Sequence, residues 1–502
     1  LPDLASKNKR EKLVRILYFI VYFVPSLPDT GNTSFKFAGD SISGIYNVQN
    51  STDFIVLPMK IVIAGAGEVG THLARMLSKE NHDIVLLDND PEKLAQISRE
   101  VDLMTVTGSA HSFSDLKETG LNKAELFIAV TTSEERNVLA CTMATYLGVG
   151  RTIARINNAE YLLQRYREKL KNMGVHELIY PESLAAKEIV SSVKLTGTRQ
   201  YFEFSGGKLI LMGIKIRENA PIVNHTLVEL GPVLKEIMAV AITREHENIV
   251  PGGKDRIMSG DIVYFVTNRA TQKHLFELTG KELFEVKNIM FLGGSRIAQK
   301  TIEKLGDNYR IKVIEESRER CNLLADQFEN ILVINGDGRN LDLLQEEGLA
   351  RMDAFIATTG SSEVNLLSCH LAKSVGIKRT VAEVENFALI NTAEGMDIGA
   401  IVNKKLIAAS YIYRFTLNAE ISNVKCLTSS DAEVFEFIAR AGTRITQKPV
   451  RELDFPADAK LGGIIRGEQG FVVSGDTQIQ EGDKVVVFTL PSGIKKLEKF
   501  FK

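Results

Sequence analysis

Sliding the chain along itself by 228 positions (293 − 65) brings Gly65 onto Gly293 and Gly108 onto Gly336. The same offset pairs Gly120-Leu121 with Gly348-Leu349, Phe127-Ile128-Ala129 with Phe355-Ile356-Ala357, Thr131 with Thr359, Asn137 with Asn365 and Cys141 with Cys369. It continues through Arg151-Thr152 and Arg379-Thr380 to Asn158 and Asn386. Chance does not hold one register that long, so the chain is an internal duplication, and both halves must adopt the same kind of fold.

Each half alternates short apolar runs with helical stretches. In the first half the strand candidates are Lys60 to Ala64, Asp83 to Asp88, Leu103 to Val106, Leu126 to Val130 and Thr152 to Arg155, with helical segments such as Val69 to Ser78 and Glu134 to Leu147 between them. This alternation predicts βαβ units and a doubly wound parallel sheet. Beyond about residue 200 the pattern changes to short β-rich runs with Gly and Pro turns. Ala241-Ile242-Thr243-Arg244 and the Ser259-Gly260-Asp261 turn recur as Gly463-Ile464-Ile465-Arg466 and the Glu481-Gly482-Asp483 turn. The predicted fold class is therefore α/β, with two doubly wound, parallel-sheet Rossmann-like domains, each followed by a small α+β domain. The expected boundaries are 59–195 and 200–280 for the first pair, and 286–420 and 422–502 for the second. For 502 residues, a prior of roughly three to four domains agrees with this division.

The first half carries a complete dinucleotide fingerprint, Gly65-Ala66-Gly67-Glu68-Val69-Gly70, between a β-type run and a helical one, with Asp88 closing the next apolar run. This is the context in which GxGxxG acquires meaning. Gly65 permits the tight turn, Gly67 lets the backbone approach a pyrophosphate, and Gly70 lets helix pack on strand. The helix N-terminus offers oriented N–H groups to the phosphates. Asp88 is expected to accept hydrogen bonds from ribose hydroxyls, which favours NAD or NADH over a 2′-phosphorylated cofactor. Thr131 and Thr132 end another strand at the same sheet edge. Arg155 closes a later one, where it either contacts a phosphate or ribose or serves a structural role. Asn137 and Asn365 are expected to position helix starts rather than touch ligand.

The second copy reads Gly293-Gly294-Ser295-Arg296-Ile297-Ala298. Gly67 has become Ser295, Gly70 has become Ala298, and Arg155 has become Glu383. Asp88 falls on Glu316, with Glu315 available if the register slips by one. Glu68 is replaced by Arg296, so the two phosphate-facing loops carry opposite charge. A carboxylate there repels additional phosphate, while a guanidinium pairs with it. The first site is thus expected to take NAD or NADH and the second, if occupied, ATP or ADP. Against this stands a vestigial second fold, because Ser295 adds a side chain where backbone should meet phosphate.

The formal charge of −2 supplies no basic face to displace counterions from phosphates, so nucleic acid is not an expected partner. The four cysteines show no metal-ligand spacing and read as buried thiols of a reducing compartment. Residues 1–58 differ in character from the rest of the chain. They have a basic lead (Lys7, Lys9, Arg10, Lys12) and an apolar stretch from Leu13 to Val24, interrupted by Arg15 and ended by Pro25. That stretch is shorter than the about 20 apolar residues a bilayer span needs, and no small-residue cleavage site comes after it. The segment is read as an upstream extension, expected to be disordered, with Met59 as the natural start.

The histidines fall in no catalytic signature, and there is no Walker A motif, nucleophile elbow or zinc spacing. A dehydrogenase would need an acid, base or electrophile near the nicotinamide together with a substrate domain. The small modules are short for that purpose. An NAD-dependent oxidoreductase is therefore the alternative, and a non-catalytic regulator the first reading. From Met59 to Lys502 the chain resembles the peripheral NAD-binding subunits of bacterial Trk potassium-uptake systems, which consist of two tandem RCK units, each a TrkA-N Rossmann domain and a TrkA-C domain. The resemblance is carried by GAGEVG at 65–70, LLDND at 86–90, AVTTSEERN at 129–137, ARINN at 154–158 and the SGD and EGD turns. It implies nucleotide contacts at Gly65, Ala66, Gly67, Glu68, Val69, Gly70, Asp88, Thr131, Thr132 and Arg155. In the weaker site it implies them at Gly293, Gly294, Ser295, Arg296, Ile297 and Glu315. It also implies a cytoplasmic, ring-like homo-oligomer, peripheral on the inner face of the plasma membrane, in which adenine nucleotides gate a membrane potassium-translocating subunit.

Overall fold

The computed structural model describes residues 59–502 apart from 79–81, 246, 397, 418 and 428–431. The upstream segment 1–58, with its apolar stretch Leu13 to Val24, lies outside the described residues. No helix among the described residues is long and apolar enough to cross a membrane.

The first half opens with six parallel strands: β1 (Lys60–Ala64), β2 (Asp83–Asp88), β3 (Met104–Thr107), β4 (Leu126–Ala129), β5 (Arg151–Arg155) and β6 (Glu177–Ile179). They lie in the order β3-β2-β1-β4-β5-β6, so the direction of winding reverses beside β1. Both faces of such a sheet are covered, which is why β1 and β4 are apolar without alternation. An antiparallel sheet comes next: β7 (Gln200–Phe204), β8 (Leu209–Lys215), β9 (Met238–Arg244), β10 (Glu247–Ile249) and β11 (Ile262–Thr267), ordered β10-β9-β11-β8-β7.

The second half repeats the plan. Its parallel sheet is β12 (Asn288–Leu292), β13 (Arg310–Glu315), β14 (Ile331–Asn335), β15 (Ala354–Ala357), β16 (Arg379–Glu383) and β17 (Ala400–Val402), ordered β14-β13-β12-β15-β16-β17. Its antiparallel sheet is β18 (Ile421–Cys426), β19 (Glu433–Ile438), β20 (Ala459–Arg466), β21 (Gln469–Val472) and β22 (Lys484–Thr489), ordered β18-β19-β22-β20-β21. The sequence-level offset fails in one place. Ala64 pairs with Leu87, but Leu292 pairs with Ile314, so β13 lies one residue earlier than an offset of 228 puts it. Glu315, not Glu316, therefore occupies the position of Asp88.

The repeated SGD and EGD turns have a structural explanation. Gly260 (φ +93°) and Gly482 (φ +83°) take the left-handed conformation. Each hands its chain to a buried aspartate. Asp261 receives Nε and Nη2 of Arg244, both at 2.8 Å, and the N–H of Met258. Asp483 receives Nε and Nη2 of Arg466 at 2.8 and 2.7 Å, and the N–H of Gln480. A paired fork of this kind satisfies an otherwise isolated buried carboxylate. The two antiparallel sheets also share a core, in which Leu209, Leu211, Tyr264 and Val266 meet Val434, Ile465, Val486 and Phe488.

Four helices determine where the two halves meet: α1 (Glu68–Ser78) after β1, α2 (Pro181–Lys194) after β6, α3 (Arg296–Leu305) after β12 and α4 (Lys404–Tyr413) after β17. Helix α2 packs against α3 and α4, and α4 also packs against α1. The last helix of each parallel unit thus covers the other half. Ala185, Ile189, Val190 and Val193 of α2 lie in the core of Ile289, Phe291 and Val313. Ala408, Ala409, Ile412 and Tyr413 of α4 lie in the core of Ile61, Ile63 and Ile128. This explains why α2 and α4 are apolar on more than one side: each is sandwiched and presents no single wet face. Pro181 suits the first turn of α2, where its missing N–H costs nothing. Asn403 caps α4 by accepting the N–H of Leu406 at 2.9 Å.

Candidate functional site

The first phosphate loop is built by backbone demands. Gly65 turns at φ +111° and its N–H donates to the carbonyl of Leu87 at 2.8 Å. The N–H of Ala66 donates to Asp88 Oδ2 at 2.6 Å, and that of Asp90 to Oδ1 at 2.9 Å. Asp88 thus fixes the loop, and its remaining lone pairs stay available for a ribose. A Cβ on Gly70 would stand 1.8 Å from the carbonyl oxygen of Gly65, whereas one on Gly67 would meet nothing within 4 Å. Gly70 is therefore a packing glycine, and Gly67 faces open space at the start of α1, where a pyrophosphate can approach bare backbone. Val69 is buried, so it can offer only its N–H.

The neighbouring edge is organised by Asn137, which is 1% exposed. Its Oδ1 accepts from the N–H and Oγ1 of Thr131 at 2.9 and 2.6 Å, and its Nδ2 donates to the carbonyls of Thr131 and Arg155 at 3.1 and 2.8 Å. Asn137 ties the loop after β4 to the end of β5, and the helix start expected of it is instead capped by Ser133, which accepts the N–H of Arg136 at 3.2 Å. Thr132, beside it, is exposed. Arg155 does not reach into open space. Its Nη2 donates to Glu182 Oε1 at 2.9 Å, and both side chains are largely buried. Among the described residues Arg155 Nε and Glu182 Oε2 have no hydrogen-bond partner.

The second loop keeps the frame and alters the chemistry. Gly293 turns at φ +88°. Glu315 Oε2 accepts the N–H of Gly294 at 2.8 Å and Oε1 accepts that of Ser317 at 2.9 Å, reproducing the part played by Asp88. Ser295 Oγ accepts the N–H of Ala298 at 3.3 Å, so the hydroxyl caps the start of α3. Ile297 is core and Arg296 is exposed. A cavity of about 280 Å³ lies against this loop, lined by Gly293, Ser295, Glu315, Glu316, Asp337 and Thr359. Glu315 is buried, and the neighbouring Glu316 is exposed on the wall of the same cavity.

Charge crosses between the halves at these loops. Glu68 lies 3.2 Å from Lys405 of α4, and Lys404 lies 2.5 Å from Glu385 and 3.7 Å from Glu383. At the other loop, Arg296 shares a cavity wall with Glu182 of α2 and with Glu383. Lys404, Lys405, Glu182 and Glu385 carry no motif. Their one sequence signal was the exchange of Arg155 for Glu383, which requires partners of opposite sign. Burial pushes Glu385 up, but a hydrogen bond from Glu68 and the charges of Lys404 and Lys405 hold it down at about 2. Glu68 is raised by that hydrogen bond and by burial. Among the described residues no group of three or more His, Cys, Asp or Glu side chains is placed to hold a metal ion.

Burial drives Glu383 from its ordinary 4.5 to about 8 against the pull of Lys404. Between those two values the folded chain keeps a proton that the unfolded chain has released. Stability from this group is therefore full below about 4.5 and is lost as pH rises to about 8. Glu383→Gln is expected to flatten that fall, by up to roughly 1.4 kcal/mol per pH unit. Urea melts of both proteins at pH 5 and pH 8 measure it. An unchanged difference between the two pH values would contradict the assignment.

Two parallel units wound in the same order, each followed by an antiparallel module, define the class: duplicated RCK-type units. The solved structure described as the GsuK RCK domain has this fold, with a TM-score of 0.57 at 15% identity over 89% of this chain and 96% of its own. The GsuK channel bound to NAD aligns equally well, with a TM-score of 0.57 at 15% identity, over 89% and 79%. The TrkA-N domain family matches residues 61–181 and 289–404, and the TrkA-C domain family matches 211–280 and 434–502. The Trk system potassium uptake protein TrkA of Azorhizobium caulinodans is 30% identical over 452 residues, 88% of this chain and 99% of that protein. Its namesake from Vibrio alginolyticus is 31% identical over 443 residues, 86% and 95%. The chain belongs to the TrkA family of Trk-system potassium uptake proteins.

Proposed function

We propose that this protein is a non-catalytic, nucleotide-binding regulatory subunit that gates a membrane potassium-translocating subunit. In this reading the first loop takes NAD or NADH and the second ATP or ADP. The carrying observation is the placement of each phosphate loop against the last helix of the other half, through Glu68 and Lys405 on one side and Arg296 and Glu182 on the other. A ligand at either loop touches the contact between halves, so unequal affinity for two arrangements of that contact shifts their populations. The names of the relatives, and the NAD in the name of the GsuK channel complex, support the reading. The active form is a ring-like homo-oligomer, cytoplasmic and peripheral on the inner face of the plasma membrane.

Asp88→Ala removes the acceptor for both the loop and the ribose. NADH affinity is expected to fall at least roughly tenfold, the value of one charge-assisted hydrogen bond, with loss of nucleotide-dependent potassium uptake. Calorimetry and flux assays read the two effects. Unaltered nucleotide-dependent uptake in the variant would refute the role of the first loop in gating.

A further inference from the structure

A second kind of cavity, of about 360 Å³, opens where the segment after α2, the end of β8, the linker following the first antiparallel sheet and the start of β16 converge. Its wall carries Arg199, Lys215, Arg217, Lys281, Lys378 and Arg379, and among the described residues its one carboxylate is Glu282. Charge of one sign gathered in a concavity focuses the field and raises the local concentration of counter-ions. Its size is that of a small-molecule site.

Arg379 gives the cavity a built floor. It is 2% exposed. Its Nη1 donates to the carbonyls of Thr196 and Thr198 at 3.3 and 2.7 Å, and its Nη2 donates to Ser192 Oγ. Its Nε is buried without an acceptor among the described residues. No carboxylate pairs with this guanidinium among the described residues, and burial beside Arg199 lowers its pKa to about 9. A buried cation in this condition is costly until a negative group joins it.

The duplicated position differs. Arg151, the mate of Arg379, is exposed, donates to the carbonyl of Phe415 at 3.3 Å and lies over the ring of Phe415 at 5.8 Å. Both arginines clasp the segment that follows the exchanged helix of the other half. The repeat therefore accounts for the clasp, while the basic enclosure belongs to the second copy.

We propose that this cavity binds a small soluble anion bearing two or more phosphate groups, at a site separate from both Rossmann loops. The proposal does not depend on the nucleotide reading of those loops. Such a ligand would join the linker, the first antiparallel sheet and the second parallel unit, and so bias their arrangement.

Titration of inorganic tripolyphosphate into the full chain by calorimetry tests the site. The exposed pair Arg217→Gln with Lys378→Gln is expected to weaken binding at least roughly tenfold, since each charge-assisted contact is worth about that factor. Arg379→Gln, if circular dichroism shows it folded, should weaken it further. Within the loop variant Asp88→Ala with Arg296→Ala, the same exposed pair of substitutions should weaken tripolyphosphate binding by the same factor. Equal affinity with and without the exposed pair in either background, or no binding by the loop variant at millimolar probe, would each overturn the proposal. So would sedimentation with phosphatidylglycerol vesicles that depends on the exposed pair while tripolyphosphate fails to bind.

Discussion

Gly70→Ala is expected to destroy NADH binding at the first loop and to lower the stability of the chain by on the order of 3 kcal/mol, the upper range for forced overpacking. The added methyl would stand 1.8 Å from the carbonyl oxygen of Gly65 and 3.0 Å from its carbon. Both are backbone atoms, so no rotamer relieves the clash, and either the turn or the first turn of α1 must move. Movement of the turn breaks the bonds from Gly65 to Leu87 and from Ala66 to Asp88. Gly67→Ala provides the contrast. Its methyl meets nothing within 4 Å among the described residues, so stability should stay near wild type while NADH, which needs that space, is excluded. Denaturant melts and NADH titrations of both variants separate folding from binding. If Gly67→Ala bound NADH normally, the pyrophosphate would lie elsewhere.

Ile412→Asp should be at least as damaging, with a loss of about 4 kcal/mol or more, because it leaves an unpaired carboxylate in an apolar core. Ile412 is fully buried, and the core it enters belongs to Ile61, Ile63 and Ile128 of the first half, some 300 positions away in the chain. Amide hydrogen exchange should therefore show lost protection in β1 and β4 as well as in α4. Faster exchange confined to residues 286–420 would mean that α4 stabilises only its own half.

The sequence was informative wherever chemistry imposes a residue type at a fixed spacing. Gly65 and Gly70 had to be glycine for steric reasons, Asp88 had to follow an apolar strand, and duplication carried both readings into the second half. It was less informative where one residue of chain length matters. The slip that makes Glu315 the counterpart of Asp88 comes from a slightly shorter approach to β13, which the constant offset concealed. It was silent on the helix exchange, because Ile189 and Ile412 look like ordinary core residues and nothing local says whose core they enter. For the same reason the partners of Arg155 and Glu68 were out of reach: Glu182 and Lys405 are distant in sequence and sit in no motif.

The crossed charges have a consequence for how chains choose partners. A symmetric pair of identical units places the same residues on both sides of its axis. Two copies of the first half joined in this way would set Glu68 against a second Glu182, and two copies of the second would set Arg296 against a second Lys405. Both pairings repel. Only unlike halves match, so the charges disfavour contact between like halves of two chains at this seam.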